Sequence, residues 1–395
     1  MDEPQILRVV EQFLAEHDFA DRIAFLRARF DAGLAFVNYP VGAGGLGAPR
    51  KLQSVVDAAF AAAGAPDNNP AALPIGLGMA APTILVHGTP EQRDRYLRPL
   101  YTGEEVWCQL FSEPGAGSDL AGLATRAVGD GDEWVVNGQK VWTSLAREAR
   151  WAILLARTNP DVPKHSGITY FIADMTAPGV EVRPLRQITG EAEFNEVYLT
   201  DVRIPDSQRL GAVGEGWYVA MTTLSNERVA IGGRVTPRES GAIAAIVQAW
   251  RQRPEVRSPL AHAELLRLWV NAEVLRLAGV RLTQQLAVGQ PGPDGSAIKL
   301  EFAGLTQETS ALEMDIVGDD ALRYDDWFSE TWRDEPPTGM DFFGRGPGFR
   351  YLRAKANSIE GGSSEIMRNI IAERVLSLPV GERSDKNVAW KDLPR

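Results

Sequence analysis

The sequence predicts an α+β protein of several domains, in the order helices, strands and helix bundle. The length of 395 residues is enough for two or three domains. The middle of the chain is rich in β-branched and aromatic runs, and helical spacing lies on both sides of it. We expect an N-terminal α-helical domain at 1–106, a central antiparallel β-domain at 107–212, a C-terminal α-helical bundle at 213–380 and a tail at 381–395.

The outer zones have the apolar spacing of amphipathic helices. In the first helix, one face carries Ile6, Val10, Phe13 and Leu14. A long C-terminal helix has leucines and small residues at alternating intervals of three and four, which indicates a coiled-coil-like seam. The members of this seam are Leu265, Leu268, Ala272, Leu275, Gly279, Leu282 and Leu286.

The central zone consists of short strand-like runs separated by turn residues, such as EWVVNGQKVWTS and FNEVYLTDVRIP. Strands at this density indicate a small antiparallel sandwich or barrel. Asn137-Gly138 is the strongest short hairpin signal in the zone, so we expect a tight turn there.

Composition narrows the class of protein. The formal net charge of −11 argues against a nucleic-acid or anionic-membrane partner. No apolar run approaches the length of a membrane span, and the N-terminus lacks a signal-type pattern, so we expect a cytoplasmic protein. The single cysteine, Cys108, excludes an internal disulfide. The histidines lack metal-ligand spacing, so we expect no metal site.

A glycine motif in the N-terminal zone has two interpretations. In GAGGLG, Gly42, Gly44 and Gly47 match the G-x-G-x-x-G of a dinucleotide-binding turn. However, Pro40 precedes the glycines and no alternating strand–helix units follow. We therefore interpret the motif as a tight loop between helices.

Two segments of the central zone suit the binding of a polar, flat ligand. SEPGAGSD (112–119) is a Pro-Gly-Ser loop that exposes N–H groups and the hydroxyls of Ser112 and Ser118. In VWTS, Trp142 and Ser144 fall on one side of a strand, so a ring lies beside a hydroxyl. The alternative is a core tryptophan followed by a turn serine.

These segments, with others at 87–104, 179–205 and 214–232, resemble the acyl-CoA dehydrogenase family of flavoenzymes. The resemblance covers most of the chain, and the pattern is similar to actinobacterial members, including those acting on steroid side chains. It implies an α-helical domain, a central β-domain and a C-terminal four-helix bundle, in agreement with the three zones.

The resemblance implies that FAD binds between the β-domain and the bundle. Leu110, Phe111 and Ser112 would line the isoalloxazine ring, with Ser112 bonding its pyrimidine edge. Trp142 would lie beside the ring, and Ser144 would hydrogen-bond near N5.

The implied reaction is α,β-desaturation of an acyl-CoA thioester. A carboxylate removes the α-proton while the β-hydrogen leaves as hydride to flavin N5. Ser118 would meet the pantetheine or phosphate portion of CoA. Electrons would pass to an electron-transfer flavoprotein. The expected assembly is a homodimer or homotetramer, with a heterotetramer as the alternative.

The C-terminal stretch NSIEGGSSEIMRN raises the question of which glutamate is the base. Aligned on Gly362 and Ser363, the position of the family's base falls on Gly361, and Glu360 replaces the preceding tyrosine. Gly361 would then donate its N–H to the thioester carbonyl. Gly362, Ser363 and Glu365 would open a helix whose N-terminus receives the FAD pyrophosphate.

Members with this register keep their base in a Glu-Arg pair on the first long bundle helix, which is Glu227-Arg228 here. Ala220, Leu224 and Ile231 share the face of Glu227, and a carboxylate on an apolar face suits a general base. Arg228 would contact the substrate. The alternatives are a structural ion pair at Glu227 and a base at Glu360.

Two family segments depart from the pattern. WRQRPEVRSP (250–259) replaces an Arg-x-x-Phe-Gly segment, and DFFGRGPGF (341–349) replaces a glycine-rich one. Both normally reach the adenosine end of FAD across a subunit interface. Two other functions therefore stay open. One is a flavin oxidase or N-hydroxylase on the same fold, and the other is a non-catalytic partner subunit of a heteromeric enzyme.

Overall fold

The computed structural model describes residues 1–68, 73–232, 237–288, 293–323, 345–381 and 385–394; it does not describe the side chains at 228–232 and 286–288. The chain forms two compact units. The first comprises Met1–Leu185, Glu193–Thr223 and Arg383–Arg395, and the second comprises Arg186–Ala192 and Leu224–Glu382. The predicted order of helices, strands and helices is confirmed.

Five helices precede the sheet in the first unit. They are α1 (Glu3–Glu16), α2 (Arg22–Asp31), α3 (Gln53–Ala62), α4 (Ala81–His87) and α5 (Pro90–Thr102). A reciprocal capping box between Asp2 and Gln5 begins α1, since each side chain bonds the other's backbone N–H. Ile6, Val10 and Phe13 are buried, as the spacing predicts.

The GAGGLG stretch is a loop between α2 and α3, which confirms the loop interpretation. Gly44 has φ +84°, and a Cβ there would stand 2.4 Å from the ring of Phe30. A Cβ on Gly45 would stand 2.1 Å from the carbonyl oxygen of Tyr39. The glycines therefore allow a close chain approach inside the helical layer.

The central zone forms one eight-stranded sheet. Its strands are β1 (Trp107–Leu110), β2 (Arg126–Asp130), β3 (Glu133–Ser144), β4 (Trp151–Arg157), β5 (Ile168–Asp174), β6 (Val180–Leu185), β7 (Phe194–Pro205) and β8 (Arg209–Leu210). Their order is β6-β7-β3-β2-β4-β5-β8, and β1 pairs with β4. Most pairings are antiparallel as predicted, but β1 and β2 each run parallel to β4. A tight hairpin forces two strands to be antiparallel, whereas β1 and β2 are each joined to β4 by a long connection that permits parallel pairing.

The hairpin predicted at Asn137-Gly138 is wrong. Both residues lie inside β3, and the turn from β2 to β3 contains Gly131, whose φ is +67°. Gly138 sits where the β3–β7 register shifts, and a Cβ there would stand 2.3 Å from Thr125 Oγ1. The glycine at this position therefore serves packing against Thr125.

The second unit contains the end of α6 (Gly216–Gly232) and five further helices. These are α7 (Ala242–Gln252), α8 (Pro259–Val288), α9 (Gly295–Val317), α10 (Pro347–Ala354) and α11 (Ser364–Ile370). The predicted seam faces inward along α8, because Leu265, Leu268, Gly279 and Leu282 are buried. The side chain of Leu286 lies outside the described residues. Across the described parts of the chain, every helix is too short or too polar to span a membrane.

A buried ion pair holds the loop after β1 against β3. Lys140 Nζ lies 2.8 Å from Glu113 Oε1, with exposed side-chain fractions of 0% and 7%. Glu113 also accepts the backbone N–H groups of Ala124 and Thr125 at 2.6 and 2.9 Å. Burial alone would raise the pKa of Glu113, but Lys140 and these donors hold it below its usual value. The stabilisation is therefore present near neutral pH and is lost as the pH falls through that lowered pKa.

We predict that Lys140→Met lowers the free energy of unfolding by about 3–5 kcal/mol, because Glu113 is left buried without its cation. Chemical denaturation followed by circular dichroism measures the change. The control is Arg183→Met, which removes the exposed pair between Arg183 and Glu181 and is expected to leave the free energy of unfolding almost unchanged. Equal losses in the two variants would contradict the prediction.

Candidate functional site

In the first unit, the loop from Ser112 to Thr125 presents one predicted serine to solvent. Its entry is fixed because the carbonyl of Ser112 accepts the N–H of Val141 at 2.9 Å. Glu113 and Ala116 exchange backbone hydrogen bonds at 3.0 Å, and the Glu113 carboxylate closes the far end at Thr125. Ser118 lies exposed between these two anchor points. The loop is therefore ordered at both ends while its serine stays accessible.

The two residues before this loop are buried. Leu110 belongs to the apolar core of the sheet. Phe111 packs edge-to-face against Tyr170, with ring centroids 5.8 Å apart. A ligand in this unit can therefore reach Leu110 and Phe111 mainly through their main chain, whereas Ser112 is half-buried.

Trp142 lies at a β-bulge within β3. The β3–β7 register shifts between Lys140 and Thr143, and Trp142 has φ +60°. Simple strand alternation, on which our expectation rested, therefore does not hold at this residue. Its indole is nonetheless 58% exposed and meets Phe194 edge-to-face at 5.8 Å. Ser144, two residues on, is half-buried.

An exposed indole at a strained backbone position fits a flat ligand. A left-handed conformation costs a tryptophan about 1–3 kcal/mol, so the surrounding structure must impose it. Asn195 contributes by donating from Nδ2 to the carbonyl of Thr143 at 3.0 Å. The result is an exposed aromatic face at Trp142, two residues before the half-buried Ser144.

In the second unit, Glu360 is engaged by an arginine. Arg353 on α10 donates from both terminal nitrogens to the two carboxylate oxygens of Glu360, at 2.9 and 3.0 Å. Arg353 is buried, so the pair is screened from solvent on that side. This bidentate contact gives Glu360 a structural partner.

Two glycines in left-handed conformations follow Glu360. Gly361 has φ +63° and Gly362 has φ +92°. The left-handed backbone disfavours a side chain at Gly362, and a Cβ there would stand 2.5 Å from Met367 Cε, which would have to move. Ser363 then caps α11 by accepting the N–H of Ile366 at 3.3 Å. Glu365 is exposed in the first turn of α11.

Glu227 lies on α6, half-buried, three residues after Leu224, which is also half-buried. Ala220 on the same face is buried. The predicted partner residue Arg228 and the face residue Ile231 have side chains outside the described residues. The described part of the face agrees with a partly desolvated carboxylate at Glu227.

Sequence reasoning missed Lys299 on α9. This side chain is 2% exposed, and its Nζ donates to the carbonyl oxygen of Gly362 at 2.5 Å. A usable signal was present, because Ala303, Thr306 and Ser310 follow at helical spacing on the inward face of α9. A lysine on such a face requires a partner.

Lys299 also interacts electrostatically with three glutamates. Burial lowers the pKa of Lys299, and Glu360, Glu227 and Glu365 oppose that change. The second unit therefore brings both candidate bases and the double-glycine turn under the influence of one buried amine.

Comparison with known proteins identifies the family. Three family models match consecutive parts of the chain. They are the acyl-CoA dehydrogenase N-terminal domain at 3–104, middle domain at 108–202 and C-terminal domain at 214–376. These matches follow the helical, strand and helical zones in order.

Individual proteins agree with this result. The acyl-CoA dehydrogenase IpdE1 of Mycobacterium tuberculosis is 39% identical over 368 residues, covering 92% of this chain and 90% of that protein. The solved ChsE4-ChsE5 complex from Mycobacterium tuberculosis matches with TM-score 0.67 and 28% identity, covering 96% of this chain and 98% of that chain. The Tcur3481-Tcur3483 steroid ACAD matches with TM-score 0.71 and 26% identity, covering 96% of this chain and 100% of that chain. The resemblance seen in the motifs is therefore confirmed: the chain belongs to the acyl-CoA dehydrogenase family of oxidoreductases.

Proposed function

We propose that the protein is an FAD-dependent dehydrogenase that introduces a double bond between the α and β carbons of an acyl-CoA thioester. The observation that carries this proposal is the exposed Trp142 indole, held at a backbone bulge two residues before Ser144 in a chain of this family. The indole packs edge-to-face against Phe194 and still leaves most of its surface open to a flat ligand.

The residues present fit the cofactor. Ser112 and Ser144 would hydrogen-bond the flavin ring, with Trp142 beside it, and Leu110 and Phe111 would contribute backbone groups. In the second unit, the N–H groups around Gly362 and Ser363 would receive the pyrophosphate, with Glu365 in the following turn. When bound, FAD would supply the acceptor for the β-hydrogen as hydride.

The base of this reaction is Glu227 in our proposal. Glu360 is held by a bidentate contact with Arg353, and proton transfer to it would break that charge-assisted pair. Glu227 is half-buried on the same face of α6 as Ala220 and Leu224, and a carboxylate on an apolar face suits a general base for a weak carbon acid. Arg228, next along α6, would contact the substrate.

The double-glycine turn supplies the complementary charge stabilisation. The N–H of Gly361 would donate to the thioester oxygen, where negative charge develops as the α-proton leaves. Lys299 holds this turn by its bond to the Gly362 carbonyl. Glu360, Glu227 and Glu365 in turn oppose the lowering of the Lys299 pKa that burial causes. Lys299 is thus a positioning residue in this proposal.

Two relatives support the substrate and partners that we propose. Similarity to a steroid ACAD and to the ChsE4-ChsE5 complex supports a bulky acyl chain on CoA and assembly with a second subunit. Ser118 would contact the CoA portion. We propose an electron-transfer flavoprotein as the electron acceptor, a cytoplasmic location, and a homo-oligomer or heterotetramer as the working assembly.

We predict that Glu227→Gln slows flavin reduction by about 10²–10⁴-fold, because the amide cannot accept the α-proton. Glu360→Gln serves as the matched change and should slow it by less than about tenfold, since its main effect is on the Arg353 contact. Anaerobic stopped-flow bleaching of the flavin, with a panel of straight-chain and steroid acyl-CoA thioesters, measures both rates.

The outcomes of this comparison are distinct. Unchanged reduction in Glu227→Gln with full flavin content would overturn the base assignment, and loss in Glu360→Gln alone would assign the base to Glu360. A wild-type flavin that no thioester in the panel bleaches would overturn the proposed function. Rapid oxygen consumption by the reduced wild-type enzyme would favour an oxidase.

We predict that Lys299→Met lowers the free energy of unfolding by about 2–3 kcal/mol, because a buried carbonyl loses a charged donor. It should also slow flavin reduction at full flavin content, since the turn that carries Gly361 loses its anchor at the Gly362 carbonyl. Lys355→Met is the control, because Lys355 is exposed and contacts the ring of Tyr351. Equal stability and equal reduction rates in Lys299→Met and Lys355→Met would contradict this prediction.

A further inference from the structure

The last described residues, 385–394, form a segment that belongs to the first unit. We refer to this segment as the C-terminal strap. The C-terminal family model ends at residue 376, so the strap lies beyond the part of the chain that the family model covers. The strap belongs to the stretch 381–395, for which the sequence predicts a tail.

The strap is attached by backbone hydrogen bonds to the connection between β4 and β5. Ala389 pairs with Pro163 in an antiparallel bridge. The N–H of Trp390 donates to the carbonyl of Val162 at 2.9 Å, and the N–H of Lys391 donates to that of Pro160 at 3.1 Å. These backbone hydrogen bonds fix the register of the strap against the β4–β5 connection.

Trp390 reaches from the strap to the loop that carries Ser118. Its Nε1 donates to the carbonyl oxygen of Gly122 at 3.1 Å. Its ring lies over the guanidinium of Arg157, with 4.4 Å from the guanidinium carbon to the ring centroid. Arg157 in turn donates to the carbonyl oxygens of Ala121 and Leu123 at 2.6 and 3.0 Å. Trp390 therefore covers the cation that organises residues 121–123.

An ion-pair bridge makes a second connection. Lys164 Nζ lies 2.8 Å from Asp119 Oδ2 and 2.6 Å from Asp385 Oδ2. Burial alone would lower the pKa of Lys164, but the two carboxylates raise it above its usual value. Asp119 directly follows Ser118, so this bridge joins the strap to the neighbour of the predicted CoA-contacting serine.

Two glycines before Ser118 lie in open space. A Cβ added to Gly115 or Gly117 would meet nothing within 4 Å. Glycine-rich segments lose much conformational entropy on ordering, which weakens binding unless the segment is ordered in advance. The contacts to Asp119, Ala121, Gly122 and Leu123 hold the residues that follow Ser118, in addition to the bonds of Glu113 at Ala124 and Thr125.

We propose that the C-terminal strap is a positioning element for CoA, with Trp390 and Asp385 holding the loop so that Ser118 meets the CoA portion of the substrate. This inference rests on the proposed function, because it uses the assignment of Ser118 to CoA. The strap contributes to substrate affinity and leaves the proton and hydride transfers to residues elsewhere.

The test measures CoA affinity separately from the rate of chemistry. The variants are Trp390→Ala, Trp390→Phe, Asp385→Asn and a chain that stops after residue 384. Each variant is measured with FAD bound. Titration calorimetry with free CoA gives the Kd. Stopped-flow bleaching with the thioester that reduces wild-type flavin fastest gives KM and the limiting rate. Lys391→Ala is the control, because its pair with Asp161 has exposed side-chain fractions of 53% and 63%.

We expect Trp390→Ala and the shortened chain to raise the Kd for CoA and the KM about tenfold or more, with limiting rate and flavin content within about twofold of wild type. Trp390→Phe should lie between, because it keeps a ring over Arg157 and loses the bond to Gly122. Asp385→Asn should raise both constants less than Trp390→Ala, and Lys391→Ala should leave them unchanged.

Two results would overturn the proposal. One is an unchanged Kd for CoA in both Trp390→Ala and the shortened chain. The other is a limiting rate and flavin content that fall together with affinity in every strap variant, since that pattern indicates a general structural role. The calorimetric arm uses free CoA and needs no turnover. It therefore tests the strap even where flavin reduction fails and the proposed function falls.

Discussion

The buried ion pair between Glu113 and Lys140 is the constraint on which the first unit's candidate site depends. One carboxylate closes a loop of about a dozen residues by accepting two backbone N–H groups, and the lysine that neutralises it also donates to the carbonyl of Phe111 at 3.0 Å. The loop bearing Ser118 and the strand bearing Trp142 are thereby fixed to the same two side chains. Burying two charges has a desolvation cost, but the hydrogen bonds of the pair require a defined geometry and so fix the loop in one position.

The second unit also contains a buried lysine that fixes an irregular segment. Lys299 is buried like Lys140, and it also donates to a main-chain carbonyl beside a predicted site residue. In both cases a lysine on a regular element holds an irregular segment that side-chain packing alone would leave loose. Placing the anchor on a helix or strand transfers its rigidity to the loop, which is what a binding site needs.

The two glutamates of the second unit differ in their contacts. Glu360 precedes the position of the family's base, and its carboxylate accepts from both terminal nitrogens of Arg353. Glu227 carries the Glu-Arg sequence of members with their base on this helix, and it is half-buried. The contrast supports our proposal that Glu360 is structural and Glu227 is the base, because proton transfer to Glu360 would break a charge-assisted pair.

Periodicity was sufficient to predict the order of helices and strands and the buried faces of α1 and α8, and the resemblance of several motifs was sufficient to indicate the family. These features depend on local spacing, which is written in the order of residues. The hairpin prediction at Asn137-Gly138 failed because the glycine serves packing against Thr125. That contact is not part of the local sequence pattern. Likewise the bulge at Trp142, the pairing of Glu360 with Arg353, the burial of Lys299 and the strap around Trp390 depend on partners brought together by tertiary structure. No local pattern specifies them, since each is a contact between segments that the fold, and not the sequence spacing, makes neighbours.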